Sequence, residues 1–557
     1  MSTFTATTDA VGGSLALSAL LGAVPLLTFF LLLIIVKAKA WQAGIAALVA
    51  ALAVAVLGFG MPAPLALLSA SQGAVFGLFP IVWIVVMALW FYQVTVLSGR
   101  FEDMRAIFDS IGGGDIRVQA VLIAFCFGGM LEALAGFGAP VAITATMVLA
   151  LGLPPLKAAT VVLIANTAPV AFGAVGTPIT TAGQLTGIDA AHIGAIVGHQ
   201  APFVAILVPF LLVALIDGVR GVKDTWPVLL VIGGVFAAGI WWSSTHFSYE
   251  LTDVVASLAA MGAAVAMLRF WRPQGAAEAA ARLGVEPVTG SAGALTGRRI
   301  WMAVFPYLAV VTVFGIAKLW TLGVDVPAFL KSTDAKIPWP GLDGHLLDSA
   351  GEPISGTVYA LPWLSSPGTL LLITGLIVAV VYTVWNDGGA RRLSFADALA
   401  EIGRCFWRMR FSALTIMLVL SLAYVMNFSG QTLAMGTAIA GVGAAFAFLS
   451  PVLGWLGTAV TGSDTSANAL FSTLQQTAAH NAGLDPALMV AANTSGGVVG
   501  KMISPQSLAI AATAVGMEGQ ESAVFRKVVV WSLLALLAVC TLVFLQSNVL
   551  HWLVPSP

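Results

Sequence analysis

The amino-acid sequence predicts an all-α polytopic membrane protein with about twelve full transmembrane helices, two re-entrant hairpins and two inverted-topology repeats. The chain of 557 residues is 59% hydrophobic and only 9% charged, whereas soluble domains are about 25% charged. Uncharged runs such as 15–36 and 528–545 are long enough to cross a bilayer. A polar, helix-breaking phrase also occurs twice, as "NTAPVAFGAVGTP" at 166–178 and "NTSGGVVGKMISP" at 493–505.

Apolar runs define the expected crossings. They are predicted at about 15–36, 40–58, 74–98, 158–180, 192–216, 226–243, 251–268, 301–318, 369–385, 411–427, 486–510 and 525–546. Two further apolar stretches, about 118–153 and 436–482, are interrupted by "AGFGAP" and "TGSDTSAN". Because each arm is expected to be too short to span, we predict two re-entrant helical hairpins there.

Basic residues predict the orientation, since cytoplasmic loops are enriched in Arg and Lys. The stretch 269–299 holds five Arg against two Glu, and the stretch 387–410 holds five Arg against three acidic residues. The longest loop, about 319–368, holds two Lys against five acidic residues. We therefore expect the Arg-rich stretches in the cytoplasm, and the acidic loop and both termini outside.

The order of segments predicts an inverted duplication. Three spans, a hairpin and two spans form a first unit in residues 1–220, with a broken helix at about 158–180. Residues 301–557 repeat that order with a broken helix at about 486–510, and residues 221–300 provide two linking spans and an Arg-rich loop. Seven crossings separate the starts of the units, so the second unit starts from the opposite side. This organisation is typical of secondary transporters that bind substrate near the bilayer midplane.

The duplicated phrase predicts a site between two broken helices. Interrupted backbone at membrane depth needs a water-lined or protein-buried setting, and freed helix ends carry partial charges. Both copies begin with Asn-Thr and end with a hydroxyl residue and Pro: Asn166, Thr167 and Thr177 in the first, Asn493, Thr494 and Ser504 in the second. The alternative is that the small residues only allow close helix packing.

Ionisable residues at membrane depth are functional candidates, because burying them is costly. Glu132 and Asp464 stand at the two predicted hairpin tips, and Lys501 stands inside the second broken helix. Lys501 either contacts an anionic substrate or forms an ion pair with Asp464 or Glu132, and both hold if the pair opens on binding. No cation adjoins Glu132 in "LEALAGFG", so we expect Lys501 closer to Asp464.

Three segments resemble the L-lactate permease family, which includes glycolate permeases: "LEALAGFGAPVAITA", "NTAPVAFGAVG" and "TGSDTSANALF…AANTSGGVVGKMISPQS". The resemblance implies import of lactate, glycolate and related 2-hydroxy monocarboxylates by proton symport across the plasma membrane of a bacterial cell. It also implies an elevator of the ion-transporter superfamily, in which the hairpin domain carries the substrate. Thr177 departs from the family's common apolar residue, which bears on the preference among hydroxy acids.

Under this resemblance the candidate residues take roles. Lys501 and the helix N-termini at the hairpin tips are expected to bind the substrate carboxylate. Hydroxyl and amide groups are expected to bind the substrate hydroxyl, and the tips to enclose it; these residues are Asn166, Thr167, Thr177, Thr465, Asn493, Thr494, Ser504, Gly136, Phe137, Gly138 and Ser463. Glu132 is expected to carry the proton, because its neighbours are apolar and desolvation favours a neutral carboxyl. Asp464 is the other proton-coupling candidate.

Other classes of function find less support in the sequence. No metal-binding His-Glu-x-x-His, no Gly-x-Ser-x-Gly and no block of basic residues is present, so we expect no enzyme, no cofactor or metal, and no nucleic-acid partner. Three distant cysteines in apolar surroundings predict buried, inert thiols. A sodium-coupled carboxylate transporter is the nearest alternative, since two Asn-Thr breaks offer oxygen ligands, and a channel is a further one. Aromatic clusters at the membrane edges are compatible with lipid anchoring or with a homodimer contact.

Overall fold

The computed structural model describes residues 3–111, 114–136, 138–285, 296–347, 351, 353–386 and 393–556. Helices dominate the described chain. The first twelve are α1 (Leu15–Ile34), α2 (Ala40–Ala53), α3 (Ala63–Phe76), α4 (Trp83–Leu97), α5 (Arg100–Ile111), α6 (Ile116–Val121), α7 (Gly128–Ala135), α8 (Ala139–Ala150), α9 (Pro155–Ala165), α10 (Gly173–Thr186), α11 (Ala190–Ala205) and α12 (Val208–His246). The others are α13 (Thr252–Phe270), α14 (Ala276–Leu283), α15 (Gly297–Leu319), α16 (Val326–Ser332), α17 (Pro367–Val384), α18 (Phe395–Phe428), α19 (Gln431–Ile439), α20 (Phe446–Thr461), α21 (Asp464–Ala482), α22 (Pro486–Gly500), α23 (Pro505–Ala514) and α24 (Glu521–Gln546).

Eleven helical segments of the described chain are long and apolar enough to cross a membrane, or twelve if α9 and α10 form one bent span. Two of these segments contain a kink. Ala63–Leu97 covers 35 residues, begins earlier than the expected span 74–98 and is kinked at Phe79 (φ −138°, ψ 121°). Ala190–His246 covers 57 residues and is broken at Gly218 (φ 71°, ψ −166°), between the expected spans 192–216 and 226–243. Because α11 packs against α12, the chain turns back there, as the polar residues between those spans predict.

Both predicted hairpins are present, with their turns at the predicted breaks. The first runs through α6 and α7, turns at Gly136 and Gly138, and returns as α8; the second runs through α19 and α20, turns at Gly462 and Ser463, and returns as α21. The expectation that every arm is too short to span is wrong for the first hairpin, because its first arm, Ile116–Leu134, is long enough by length. In the second hairpin Gln431–Thr461 is also long enough by length, but a kink at Gly443 (φ 61°, ψ −141°) divides it, and α20 alone has 16 residues.

A broken helix follows each hairpin. After the first, α9 and α10 are bent by 60° around residues 166–172. After the second, α22 ends at Gly500, a 3-10 turn occupies Lys501–Ile503, and α23 begins after Ser504. The same order of hairpin and broken helix thus occurs twice, while the inverted relation of the two units stays a prediction.

Small residues allow the closest helix contacts, as the packing alternative expected. A Cβ added to Gly496 would lie 1.9 Å from the carbonyl oxygen of Pro451 on α20, and one added to Gly500 would lie 2.4 Å from that of Trp455. The structure therefore assigns Gly500 of the duplicated phrase to packing of α22 against α20. The three cysteines, Cys126, Cys405 and Cys540, are buried and free, as expected.

Short strands and buried ion pairs connect segments that are distant in the sequence. The N-terminal strand β1 (Phe4–Thr5) pairs with β3 (Leu346–Leu347), and β2 (Ala335–Pro338) pairs with β4 (Val358–Leu361). The N-terminus and the acidic 319–368 loop therefore lie on the same side, as expected. Elsewhere the buried Arg117 forms ion pairs with Asp115, Asp217 and Asp224, which ties the start of the first hairpin to α12.

Candidate substrate-binding site

Both hairpin tips and both helix breaks contribute to one small interior cavity, in which about 30 Å³ is accessible to a water-sized molecule. α10 brings them together, because it packs against α7 of the first hairpin and α21 of the second. The lining residues are Glu132, Gly136, Val170, Gly173, Ala174, Thr177, Pro178, Gly462, Ser463, Asp464, Thr465 and Lys501. Seven of these were predicted from the sequence as site residues: Glu132, Gly136, Thr177, Ser463, Asp464, Thr465 and Lys501.

An ion pair crosses the cavity. Lys501 begins the 3-10 turn of the second broken helix, and its Nζ donates to Oε1 of Glu132 on α7. Both residues are buried, with 7% and 2% exposure, and Oε2 of Glu132 has no partner among the described residues. The expectation that Lys501 lies closest to Asp464, with no cation at Glu132, is therefore wrong. The partners are 369 positions apart, so no local pattern in "LEALAGFG" indicates this contact.

Gly173 lets the Glu132 side chain lie against the first broken helix. A Cβ at position 173 would stand 3.0 Å from Oε1 of Glu132 and 3.3 Å from its Cγ. The next three residues, Ala174, Val175 and Gly176, all have left-handed backbone angles, with φ of 45°, 59° and 68°. Such a conformation costs about 1–3 kcal/mol at a residue with a side chain. The strain is therefore concentrated in the wall of the cavity, where surrounding packing must hold the turn.

Asp464 lies on the opposite wall, in the first turn of α21. Its Oδ1 accepts a hydrogen bond from Thr458 at 3.3 Å, and its Oδ2 has no partner among the described residues. Ser463 caps the helix by accepting from the backbone N–H of Ser466, and the start of α21 presents positive partial charge to the cavity. Gly497 makes room for the carboxyl, because a Cβ there would lie 1.9 Å from Oδ1 of Asp464.

Hydroxyl and amide groups complete the surroundings of Lys501. Thr177 and Thr465 are joined by their Oγ1 atoms at 3.2 Å, across the gap between the first broken helix and the second hairpin. On the other side of Lys501, Asn166 and Thr167 lie in a region that leaves no space for a water-sized molecule. Oδ1 of Asn166 has no partner among the described residues.

The second copy of the phrase is placed differently from the first. Asn493 donates to Asn468 at 2.9 Å and accepts from Gln475 at 2.7 Å, and Thr494 accepts from Asn468 at 2.9 Å. These bonds hold α22 to α21, and neither residue lines the cavity. The reason is the position of each break: α9 ends just before Asn166, whereas α22 continues through residues 493–500.

Two further predicted residues, Ser504 and Gly138, do not line the cavity. Ser504 caps α23, since its Oγ accepts from the N–H of Ser507 at 3.2 Å and donates to Oγ of Ser507 at 2.9 Å. Gly138 provides a left-handed turn residue (φ 93°) beside Ile510. Phe137 lies outside the described residues. The structural roles of Ser504 and Gly138 follow from local turn and cap geometry, and the duplicated phrase does not distinguish such roles from ligand contact.

Comparison with known proteins places the chain among membrane carriers. It is 43% identical over 566 residues to the L-lactate permease of Bacillus subtilis (strain 168), with 98% of each chain covered. It is 40% identical over 554 residues to the glycolate permease GlcA of Escherichia coli (strain K12), with 96% of this chain and 97% of that protein covered. A structural match to the solved YdaH transporter of Alcanivorax borkumensis covers 88% of this chain and 89% of that one, at 15% identity and a TM-score of 0.46. Because the model of the L-lactate permease family matches residues 18–550, this chain belongs to that family and is a multi-pass transporter of the plasma membrane.

Proposed function

We propose that this protein imports L-lactate and related 2-hydroxy monocarboxylates, including glycolate and D-lactate, by proton symport. The observation that carries the proposal is the buried pair of Lys501 and Glu132 in the wall of the interior cavity. Lys501 is the one cation among the described lining residues. A small carboxylate needs such a cation, and the names of the lactate and glycolate relatives support this substrate class.

The cavity offers separate partners for the two ends of a hydroxy acid. The ammonium of Lys501 and the N-terminus of α21 suit the carboxylate. The hydroxyls of Thr177 and Thr465 lie in the same cavity and are only 3.2 Å apart, so a 2-hydroxyl group can exchange bonds with either. The free Oδ1 of Asn166 on the other side of Lys501 can accept a hydrogen bond from the lysine.

The balance of buried charge between Lys501 and Glu132 couples proton binding to substrate binding. In the described cavity wall Lys501 balances one negative charge, which Glu132 supplies when no substrate is bound. A substrate carboxylate that takes the ammonium leaves Glu132 buried without its cation, and an unpaired buried charge is costly. Glu132 then binds a proton, so one proton enters with each substrate anion. This mechanism keeps the predicted role of Glu132 but replaces its reason, because the neighbouring cation is what couples the two events.

The proposal includes the predicted inverted repeats and the movement of the hairpins as a substrate-carrying unit. Support comes from the twofold occurrence of a hairpin followed by a broken helix and from the meeting of both tips at one cavity. For the orientation, a Cys at exposed Ser332, in α16 of the acidic loop, should react with an impermeant thiol reagent in intact cells. A Cys at exposed Ala277, in α14, should not react. The natural cysteines are buried and give little background, and the opposite labelling pattern overturns the orientation.

The decisive test uses purified protein in proteoliposomes. An inward proton gradient in sodium-free buffer should drive lactate accumulation, whereas a sodium-coupled carrier would need sodium. Glu132→Gln mimics the protonated carboxyl, so the variant should still exchange internal for external lactate but lose accumulation driven by the gradient. Retained accumulation in Glu132→Gln would rule out this residue and move the proton to Asp464.

A further inference from the structure

A second buried carboxyl lies near Glu132 and does not line the cavity. Asp253 is the second residue of α13, has 0% exposure, and forms no hydrogen bond from either oxygen to a described residue. One turn further along α13, the Oγ of Ser257 is also buried without a partner. An ionised carboxylate in such a position is costly, so burial favours the neutral acid form of Asp253, which has a proton to give.

Helix packing places Asp253 at the level of Glu132. α13 packs against α7, and a Cβ added to Gly129 of α7 would lie 2.8 Å from Oγ of Ser257. Glu132 is three residues after Gly129 and therefore on the same face of α7, while Asp253 is four residues before Ser257 on α13. Glu132 lies against Gly173, and the backbone of Glu250, just before α13, lies against Gly176, because a Cβ at these glycines would stand 3.0 Å from Oε1 of Glu132 and 3.3 Å from Cα of Glu250. The start of α13 is therefore near the depth of Glu132. The charged groups whose fields reach Asp253 are Glu132 and Lys501.

A third carboxyl connects Asp253 to the end of the bundle. Glu250, three residues before Asp253, accepts from Nζ of Lys318 at 2.7 Å and from Oγ of Ser248 at 2.6 Å. The Lys318 side chain is 33% exposed, whereas that of Glu250 is 2% exposed. The other elements packed against the start of α13 offer the exposed His246 at the end of α12 and the thiol of Cys126 in the turn before α7. A row of carboxyls thus leads from a partly exposed ion pair to the cavity.

The geometry points to Asp253 as the proton donor to Glu132, an inference that rests on the proposed proton symport. No hydrogen bond joins the two carboxyls while Lys501 holds Glu132, so the transfer requires Glu132 to turn towards Asp253, or one bridging water, once a substrate carboxylate takes Lys501. The O–H bond of Asp253 then breaks, and a new O–H bond forms on the Glu132 carboxylate. Asp253 is left as a carboxylate beside the hydroxyl of Ser257, which can donate to it. A proton from the side of Glu250 and Lys318 then restores the acid, so one proton has moved inward and no other reactant is needed.

The role makes Asp253 necessary for net proton movement but not for substrate contact. In proteoliposomes, Asp253→Asn should lower lactate uptake driven by a proton gradient by roughly tenfold or more, the scale of a lost proton-transfer group. Lactate exchange at equal pH on both sides should stay within about twofold, since a proton held by Glu132 need not leave. Asp253→Glu should restore most of the uptake. The control is Asp485→Asn, in which the new side chain keeps the cap on the backbone N–H of Ala487.

The outcomes separate this inference from the proposed function. If the unmodified protein shows no gradient-driven uptake without sodium, the proposed symport fails. If it does show such uptake and Asp253→Asn equals it, the relay is overturned while the symport stands. If Asp253→Asn loses exchange and uptake equally, or if Asp253→Glu restores neither, Asp253 supports the fold and the relay is also overturned.

Discussion

Replacing Lys501 by Met should destabilise the protein in a pH-dependent way, because the change leaves Glu132 buried without its cation. Glu132 is 2% exposed, so water cannot take the place of the ammonium. The matched control is the double variant Lys501→Met/Glu132→Gln. It removes both charges and keeps side chains of similar size.

The magnitude follows from two independent routes. Removing one partner of a buried ion pair typically costs about 3–5 kcal/mol. If Glu132 escapes this cost by binding a proton, the protonation itself costs about 3.7 kcal/mol at pH 7. An ordinary Glu has a reference pKa of about 4.3, and each pH unit is worth about 1.36 kcal/mol. We therefore expect a loss of about 3–4 kcal/mol at pH 7 that shrinks by about 1.4 kcal/mol for each unit by which the pH falls.

The sign of the pH effect is definite. The folded variant must take up a proton that the unfolded chain does not hold at neutral pH, so low pH favours folding of the variant and high pH opposes it. The melting temperature of each purified variant in detergent is measured at about pH 5.5, 7 and 8. At each pH it is compared with the melting temperature of the unmodified protein. For a chain of this length the loss at pH 7 should be roughly 3 °C. The double variant should recover most of it.

The same variants test the substrate contact. A hydrogen bond to a charged group is worth about 1.5–3 kcal/mol, so Lys501→Met should weaken lactate binding by about 10- to 150-fold, and the double variant should not recover binding. Equal melting losses at low and high pH, or a double variant no more stable than Lys501→Met, would refute the buried pair. Normal lactate affinity in Lys501→Met would refute the role of Lys501 in the site.

Two further pairs of variants have opposite expected outcomes. Gly497→Ala should abolish uptake, because its Cβ would lie 1.9 Å from Oδ1 of Asp464. Gly262→Ala should leave uptake unchanged, since nothing lies within 4 Å of a Cβ at that position. Both variants are compared by lactate uptake per amount of membrane-inserted protein. Arg117→Met should cost about 3–5 kcal/mol, since it strands buried carboxylates. Arg282→Met should cost much less than Arg117→Met, because the Arg282 side chain is partly exposed and solvent screens its ion pair. Thermal melts that show equal losses would contradict the difference.

The positions of the hairpin tips could be predicted from the sequence because the signal is local. A run such as "TGSDTSAN" inside an apolar stretch cannot remain lipid-exposed helix, and the structure turns there at Gly462 and Ser463. The run "AGFGAP" predicts the first tip in the same way, and α7 ends there at Gly136. The turn between the expected spans 192–216 and 226–243 was predictable in the same way, since it is polar and the helix breaks there at Gly218. The sequence did not show that Asp217 and Asp224 of this turn form ion pairs with Arg117, which lies about 100 positions earlier.

Asp253 was not predicted from the sequence. The rule that intramembrane charges mark function selected Glu132, Asp464 and Lys501, and all three line the cavity. Asp253 was missed because the predicted span 251–268 placed it at a membrane edge, where a carboxyl is ordinarily solvated. The signal was present, since the residue begins an apolar run, but its burial depends on α7 and α12 packing around the start of α13.

The sequence by itself determined that this protein lies in a membrane and is helical. It also determined the two hairpin tips and the set of buried charges, because each of these features depends on the composition of a short stretch. Only the tertiary structure decided which charge meets which. Lys501 pairs with Glu132 and not with the Asp464 that is nearer in sequence, and Asn493 is satisfied by Asn468 and Gln475 while Asn166 keeps a free oxygen. These contacts join residues on different helices. Their distances are set by how closely glycine-lined helices approach one another, which no local pattern records.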